Sequence, residues 1–236
     1  MNDYNLDILA FGAHPDDVEI GMAGTITKYA RNGYKVGICD LTLAELSSNG
    51  TVDIRSMEAK KASDILGITK RINLQLPDRG LSLKDSYIQK ITTIIRKYKP
   101  KLVFTPYFDD RHPDHGNCSR LVEEAVFSAG IRNYHDEEGL AAHRIKSLYF
   151  YMINGFHKPS FVVDVSETMN IKLESLRTYV SKFEKNNLAA DTPLVNGYIE
   201  TVESRERLFG KEVGVQYAEG FMSKKTLLLS SDLLGD

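Results

Sequence analysis

The sequence predicts an α/β protein with a Rossmann-like, mostly parallel sheet, helices on both faces and a small C-terminal elaboration. Two observations lead to this class. Short apolar runs alternate with segments of helical periodicity through the first half of the chain, which is the order of a doubly wound sheet. The connections are short and no shift in composition marks a boundary, so residues 1–236 are predicted to form a single domain.

The first half of the chain supplies the parallel part of the predicted sheet. Four short apolar runs are predicted to be strands, at residues 6–11, 36–41, 72–74 and 102–105. Three segments with apolar residues at helical spacing lie between them, at residues 18–29, 53–66 and 84–98. Each strand–helix–strand step implies a parallel pair with a right-handed crossover. No G-x-G-x-x-G follows the first strand, so a dinucleotide fingerprint is absent.

The pattern changes beyond Gly130, where the C-terminal elaboration begins. The elements predicted there are strands at 148–152 and 161–165, helices at 169–183 and 198–209, and a loop at 185–193. The two strands are expected either to extend the sheet or to form a small antiparallel part. No element is assigned to the tail after Gly210. We expect this third of the chain to wall a substrate site or to form a subunit contact.

Composition excludes several classes of function. The formal net charge is -2 and no long Lys/Arg run occurs, which argues against a nucleic-acid partner. There is no apolar segment of spanning length and no signal-like N-terminus, so no membrane association is expected. Cys39 and Cys118 are far apart and in no metal-ligand spacing. They indicate a reducing compartment, most simply the cytoplasm.

Two short motifs combine imidazole and carboxylate side chains. Ala13-His14-Pro15-Asp16-Asp17 follows the first predicted strand, and Arg111-His112-Pro113-Asp114-His115 follows the fourth. Parallel strands end at the same edge of a sheet, where ligands bind in open α/β folds. Histidine and carboxylate suit zinc and related divalent metals. Either aspartate of the first motif could instead cap a helix in a plain polar turn. The recurrence of the pattern at two equivalent places favours a shared metal site.

These motifs hold more donors than a catalytic metal needs, since such a metal binds three protein ligands and a water molecule. Of Asp16 and Asp17, one is expected to bind the metal and the other to remain free as a general base. One of His112 and His115 is expected to be spare. Oriented by Asp114, it could stay protonated and stabilise an oxyanion. Together these groups are suited to the hydrolysis of an amide or an ester.

Arg55 is a further candidate. With Asp53 as a plausible helix N-cap, Arg55 falls in the first turn, where an arginine is unfavourable with the helix dipole. It is therefore expected either to contact substrate or to lie solvated on the surface. Asp78 and Arg79 lie in another loop on the presumed ligand edge, between the third strand and the third helix.

The paired motifs resemble the zinc-dependent N-acetylglucosamine deacetylases of the PIG-L/LmbE type. The resemblance extends over most of the chain, including the loop at 41–51 and the segment at 76–80. It implies a metal site of two histidines and one aspartate, which suits Zn2+ and also Fe2+, and it implies these roles: His14, Asp17 and His115 as metal ligands, Asp16 as general base, His112 with Asp114 as oxyanion stabiliser, and Arg55 as a substrate-binding residue. Tyr198 is expected in the wall of the site.

The resemblance also implies a substrate and an assembly. The chain looks similar to the bacterial branch that deacetylates the small molecule GlcNAc-malate in bacillithiol biosynthesis, and relatives in that branch form hexamers, so a homo-oligomer is expected. One loop departs from the family: many members read Gly-Glu-x-Gly-Thr where this chain has Ala44-Glu45-Leu46-Ser47-Ser48. Two alternatives stay open: a phosphoester hydrolase, typically with two metal ions, and a sugar-binding protein without catalysis.

Overall fold

One sheet organises the computed structural model, which describes residues 5–184 and 190–228. Within these residues the strands are β1 (Ile8–Gly12), β2 (Val36–Thr42), β3 (Lys70–Leu76), β4 (Leu102–Pro106), β5 (Ser147–Tyr151), β6 (Phe161–Asp164) and β7 (Ala218–Met222). Their spatial order is β3-β2-β1-β4-β5-β7-β6. Strands β1 to β5 run parallel, whereas β7 pairs antiparallel with both β5 and β6. The predicted mostly parallel sheet is confirmed.

Helices cover both faces of this sheet, as predicted. They are α1 (Asp17–Arg31), α2 (Val52–Leu66), α3 (Asp85–Tyr98), α4 (Pro113–Ala129), α5 (Met169–Arg177), α6 (Val180–Phe183) and α7 (Tyr198–Val213), with a 3₁₀ turn at Pro193–Val195. Successive side chains of β1 point to opposite faces of the sheet, so they contribute to two different apolar layers. Ile8 and Ala10 pack in the cluster of α1, α2 and α5, and Leu9 and Phe11 in that of α3 and α4. Among the described residues, no helix is both long and apolar enough to span a bilayer.

The strand order sets the place of a ligand site. Strand β1 lies between β2 and β4, so the connection from β1 to β2 and the connection from β4 to β5 lead toward opposite edges of the sheet. Such a reversal of strand order opens a crevice at the carboxyl ends of the strands. The loops after β1 and β4 border this crevice, because the two strands are neighbours with Ile8 opposite Leu102.

The structure corrects several details of the predicted elements. Thr51, not Asp53, caps α2, since its Oγ1 accepts the N–H of Ile54 at 3.3 Å. The helix predicted at 169–183 is divided into α5 and α6. The unassigned tail contains β7, which inserts between β5 and β6. All five residues of β7 are buried, and one of them is the charged Glu219, so the sequence lacks the apolar pattern that would predict a strand there. Residues 185–189 of the predicted loop lie outside the described residues.

Candidate active site

The candidate site forms where the loops after β1 and β4 meet. His14 lies two residues beyond β1, and Asp17 is the first residue of α1. His112 is the N-cap of α4, and His115 lies in the first turn of that helix. Because β1 and β4 are adjacent and parallel, α1 and α4 both begin at the carboxyl edge of the sheet. The structure thus brings the two sequence motifs together.

Asp17 contacts the rings of both His14 and His115. Its Oδ1 is 3.2 Å from His115 Nε2, and its Oδ2 is 3.4 Å from His14 Nδ1. Burial lowers the pKa of both histidines, but Asp17 and other nearby acids outweigh this effect. The pKa of His115 rises to about 9, and the pKa of His14 lies well above its usual range. Burial raises the pKa of Asp17, yet the two imidazoles hold that pKa well below its usual range.

The ring of His112 completes a cluster of three imidazoles. Its centroid lies 4.9 Å from that of His14 and 4.7 Å from that of His115. Its Nδ1 accepts the backbone N–H of Asp114 at 3.2 Å, so a neutral ring carries its proton on Nε2. Burial, followed by the charges of His115 and His14, lowers the pKa of His112 to about 4. With its Nδ1 accepting this bond, His112 offers Nε2–H as a neutral donor to the site.

The carboxylate of Asp114 contacts Arg79 and His14, and the hydrogen bond between Asp114 and His112 is made by the backbone of Asp114. Its Oδ2 accepts the backbone N–H of Arg79 at 2.6 Å, and its Oδ1 lies 3.5 Å from Arg79 Nη1. The same Oδ2 is 3.8 Å from His14 Nε2. Asp114 is the second residue of α4, so its backbone N–H is left free to bond the N-cap ring. Its side chain instead joins the loop after β3 to the site.

Two further carboxylates contact the histidines, although neither was assigned a role from the sequence. Asp78 Oδ1 lies 3.2 Å from His14 Nε2, and Asp78 Oδ2 accepts the N–H of Leu46. Burial raises the pKa of Asp78, but His14 outweighs it and lowers that pKa to about 2. Asp110 Oδ1 lies 2.9 Å from His115 Nδ1. The sequence does hold a signal for each: Asp78 lies in a loop at the ligand edge of the sheet, and Asp110 lies just before the second histidine motif.

Asp16 is fully buried and has different partners from the other acids. Its φ of 111° costs a residue other than glycine about 1–3 kcal/mol. It occupies the N-cap position of α1, but its side chain accepts no capping hydrogen bond. Its Oδ2 contacts Lys182 Nζ and lies 3.6 Å from Arg55 Nη1. Burial raises the pKa of Asp16, against the lowering effects of Lys182 and Arg55.

Arg55 lies inside the protein, and an exposure of 2% excludes the solvated surface position. Its Nη2 donates to Ser47 Oγ at 3.3 Å and to Ser181 Oγ at 3.4 Å, and its Nε is 3.5 Å from Glu58 Oε2. It therefore links the loop after β2 and helix α6 to Asp16.

The donor set fits a divalent cation. Two overlapping sets have all their ligand atoms within 4.8 Å of one another: His14, His112 and His115, and His14, Asp78 and Asp114. Asp17 adds a carboxylate that contacts two of the rings. A cation displaces the protons that such high-pKa imidazoles hold. Both sets share His14, so the described candidate ligands form one continuous cluster.

A cavity of about 210 Å³ opens beside this cluster. Its lining includes four cationic side chains, from Arg55, Arg79, Arg111 and Lys182. Tyr198, at the start of α7, also lines the cavity. The Tyr198 hydroxyl is 3.2 Å from the carbonyl oxygen of Ile153. Lys182 and Tyr198 show that the C-terminal third walls the site, which was one of its two expected roles.

Fold and site together define an α/β protein with clustered histidine and carboxylate side chains at the carboxyl edge of its sheet, a donor set that could hold a metal ion. The family model described as "PIG-L: GlcNAc-PI de-N-acetylase" matches residues 9–126. Diacetylchitobiose deacetylase of Thermococcus kodakarensis is 33% identical over 228 residues, covering 90% of this chain and 81% of that relative. The chain therefore belongs to the PIG-L family and is a deacetylase, that is, an amide hydrolase.

Two other proteins bear on the comparison. A Bacillus anthracis protein named probable N-acetyl-alpha-D-glucosaminyl L-malate deacetylase 2 is 25% identical over 224 residues, covering 85% of this chain and 92% of that protein. The crystal structure of a conserved protein from Thermus thermophilus is 37% identical, with a TM-score of 0.87 over 95% of this chain and 97% of that one. The family and the fold expected from the motifs are thus confirmed.

Proposed function

We propose that this protein is a metal-dependent N-deacetylase that hydrolyses the acetamide of a small N-acetylglucosaminyl substrate to a free amine and acetate. The observation that carries the proposal is the meeting of two histidine–carboxylate motifs beside one cavity, where the buried acid Asp16 directly precedes Asp17 in the chain and contacts the cavity-lining residues Arg55 and Lys182. Family membership supports the reaction class. The donor chemistry of the cluster supports the dependence on a metal.

We assign His14, Asp17 and His115 as the metal ligands, with Zn2+ or Fe2+ as the cation. Two imidazoles and a carboxylate form a donor set that both metals accept. When bound, such a cation polarises the acetamide carbonyl and makes a water molecule more acidic. Asp110 lies at the far nitrogen of His115, where it would fix the ring so that Nε2 points to the site.

We assign the proton transfers to Asp16. A carboxylate beside the ligand set can accept a proton from the attacking water and return it to the leaving amine. His112 would donate its Nε2–H to the carbonyl oxygen as that oxygen becomes negative, and a neutral ring is sufficient for this bond. Asp114 supports this role through its backbone N–H, which occupies Nδ1. Arg55, at the cavity wall, would contact the sugar hydroxyls.

GlcNAc-malate, the bacillithiol precursor, is our proposed substrate. The Bacillus anthracis relative bears the name of that activity. The cavity also has cationic side chains that suit an anionic aglycone: Arg79 is 47% exposed, and Arg111 is exposed and pairs with no described residue. N,N′-diacetylchitobiose is the competing substrate, because the Thermococcus relative that carries its name has the higher identity.

Acetate release tests these proposals. The purified protein is loaded with Zn2+ or Fe2+ and given GlcNAc-malate, N,N′-diacetylchitobiose or GlcNAc. We expect release from GlcNAc-malate with a higher kcat/KM than from the neutral sugars. A preference for diacetylchitobiose would contradict the proposed substrate but not the proposed deacetylation. No acetate from any N-acetyl sugar would refute the deacetylase proposal.

The two alternative functions are separated by a metal count and one variant. A phosphoester hydrolase with a two-metal centre should bind two ions per chain, whereas we expect one. Asp16→Asn should lower turnover by about 10²–10⁴-fold while the metal stays bound, because only the general base is lost. A sugar-binding protein without catalysis would show no turnover, and the same variant would leave its affinity for sugar unchanged.

Two expectations from the sequence remain predictions. A homo-oligomer, hexameric by resemblance, is tested by light scattering of the purified protein. The cytoplasmic location rests on Cys39 and Cys118, which are both buried and unpaired, and is tested by cell fractionation.

A further inference from the structure

Lys182 is a cation for which neither the sequence motifs nor the ligand set provides a role. It lies on the short helix α6, and its side chain is 16% exposed at the wall of the cavity. Its Nζ contacts Oδ2 of Asp16. A residue of the C-terminal third therefore reaches the acid that we assign as the general base.

The carboxylate of Asp16 has few other contacts that could orient it. It does not cap α1, and apart from ion contacts neither oxygen has a hydrogen-bond partner among the described residues. The second cation, Arg55, is more distant, with Nη1 at 3.6 Å. Both cations approach Oδ2, whereas Oδ1 is buried and has no hydrogen-bond partner among the described residues. Since attraction between charges weakens with distance, Lys182 is the principal contact that orients the carboxylate.

The position of Lys182 is set by its neighbours in α6. The backbone N–H and the hydroxyl of Ser181 donate to the Glu58 carboxylate at 2.8 and 2.7 Å. The ring of Phe183 stacks on that of Tyr198, with centroids 5.7 Å apart. These contacts anchor α6 without Asp16, so Lys182 can act as a fixed point against which the carboxylate is held.

We propose that Lys182 is a positioning residue that holds Oδ2 of Asp16 and thereby keeps Oδ1 in the orientation that accepts a proton. The inference rests on the proposed role of Asp16 as general base. Lys182 transfers no proton and binds no substrate. Without it the carboxylate could rotate, and a misplaced catalytic group lowers the rate by about 10²-fold.

Steady-state kinetics of Lys182→Met and Lys182→Arg, on GlcNAc-malate and N,N′-diacetylchitobiose, test this role. Met keeps the stem and removes the charge, so kcat should fall about 10²-fold while KM changes less than about threefold. Arg keeps the charge and should recover most of kcat. Lys211→Met, at an exposed position of α7, is the control and should match the wild type. A raised KM at constant kcat would show that Lys182 binds substrate. A raised kcat would show that Lys182 inhibits the general base. Either result overturns the proposal.

Chemical rescue adds a readout that general damage to the fold would not give. Lys182→Cys treated with 2-bromoethylamine carries a lysine analogue at this position and should regain kcat. Both native cysteines are buried, and wild-type protein treated in the same way controls for their modification. In an Asp16→Asn background, Lys182→Met should cause no further loss of kcat. A further tenfold loss there would show that Lys182 does not act through Asp16.

The contact itself can be measured without activity. Thermal unfolding of Asp16→Asn, Lys182→Met and the double variant should show a Tm loss in the double variant that is smaller than the sum of the single losses. If the two single losses of Tm add up in the double variant while the wild type releases acetate, only the positioning role is contradicted. A wild type that releases no acetate contradicts the proposed function and, with it, the positioning role.

Discussion

Replacing Lys172 with Met is expected to destabilise the fold strongly, because this lysine is buried between two carboxylates. Its Nζ donates to Glu206 Oε1 and to Glu219 Oε1, both at 2.7 Å, and its side chain is 0% exposed. Glu219 also accepts the backbone N–H groups of Gly24 and Thr25 in α1, at 2.9 and 2.7 Å. The variant would leave two buried acids with one cation fewer, while Met retains the volume of the stem.

The expected size follows from this burial. Removing one partner of a buried ion pair leaves an uncompensated charge and costs about 3–5 kcal/mol. In a domain of this length, each kcal/mol lowers Tm by about 2–4 °C. Lys172→Met should therefore lower Tm by about 6–20 °C.

Thermal unfolding followed by circular dichroism measures this shift, with Lys224→Met as the matched control. Lys224 Nζ also lies 2.7 Å from a glutamate, Glu123, but its side chain is 52% exposed. An exposed pair contributes about 0–1 kcal/mol, so this Tm should change by less than about 4 °C. If Lys172→Met lowers Tm no more than Lys224→Met does, the buried-charge reasoning is wrong.

Three further predictions concern other parts of the molecule. Burial raises the pKa of Asp40 to about 6, although Arg71 lowers it; this acid is thus protonated when folded but ionised when unfolded between about pH 4 and 6. The contribution of Asp40 to stability should therefore fall as pH rises through that range, so between about pH 4 and 6 the stability of the wild type should fall relative to that of Asp40→Asn in urea unfolding. Gly21→Ala would place a Cβ 2.0 Å from Tyr151 Cδ2, so urea unfolding should show a loss of about 1–3 kcal/mol. Asp110→Asn should weaken cation binding about 10–100-fold in a chelator competition, and an unchanged affinity would contradict its orienting role.

The parallel half of the fold was predictable because its signals are local. Apolar runs mark β1, β2 and β4, and helical spacing marks the segments between them. The site could be located for the same reason: both histidine motifs directly follow strands, and the strand order then brings them to one edge. The order of the elements was enough to predict that His14 and His115 lie at the same edge of the sheet.

The rest of the site could not be predicted because it depends on contacts between distant segments. Asp78, Asp110 and Lys182 are ordinary charged residues in loops or a short helix, and only the folded chain brings them to the histidines and Asp16. The way in which Asp114 contacts His112 was not predictable for a related reason. Its contact with His112 runs through the backbone N–H of a helix start, a detail of capping geometry that residue types do not specify.

The C-terminal third completes the helix that follows the first motif. Helix α1 leaves helical geometry at Met22, which disturbs the hydrogen bonds of the neighbouring turns. Charged side chains from α7 and β7 take up these groups: Arg205 Nη2 donates to the carbonyl of Ile20 at 3.2 Å, and Glu219 accepts the N–H of Gly24. Such buried charges look unfavourable in sequence, yet here they satisfy backbone groups that water cannot reach. The segment that walls the cavity therefore also stabilises the helix that begins at Asp17.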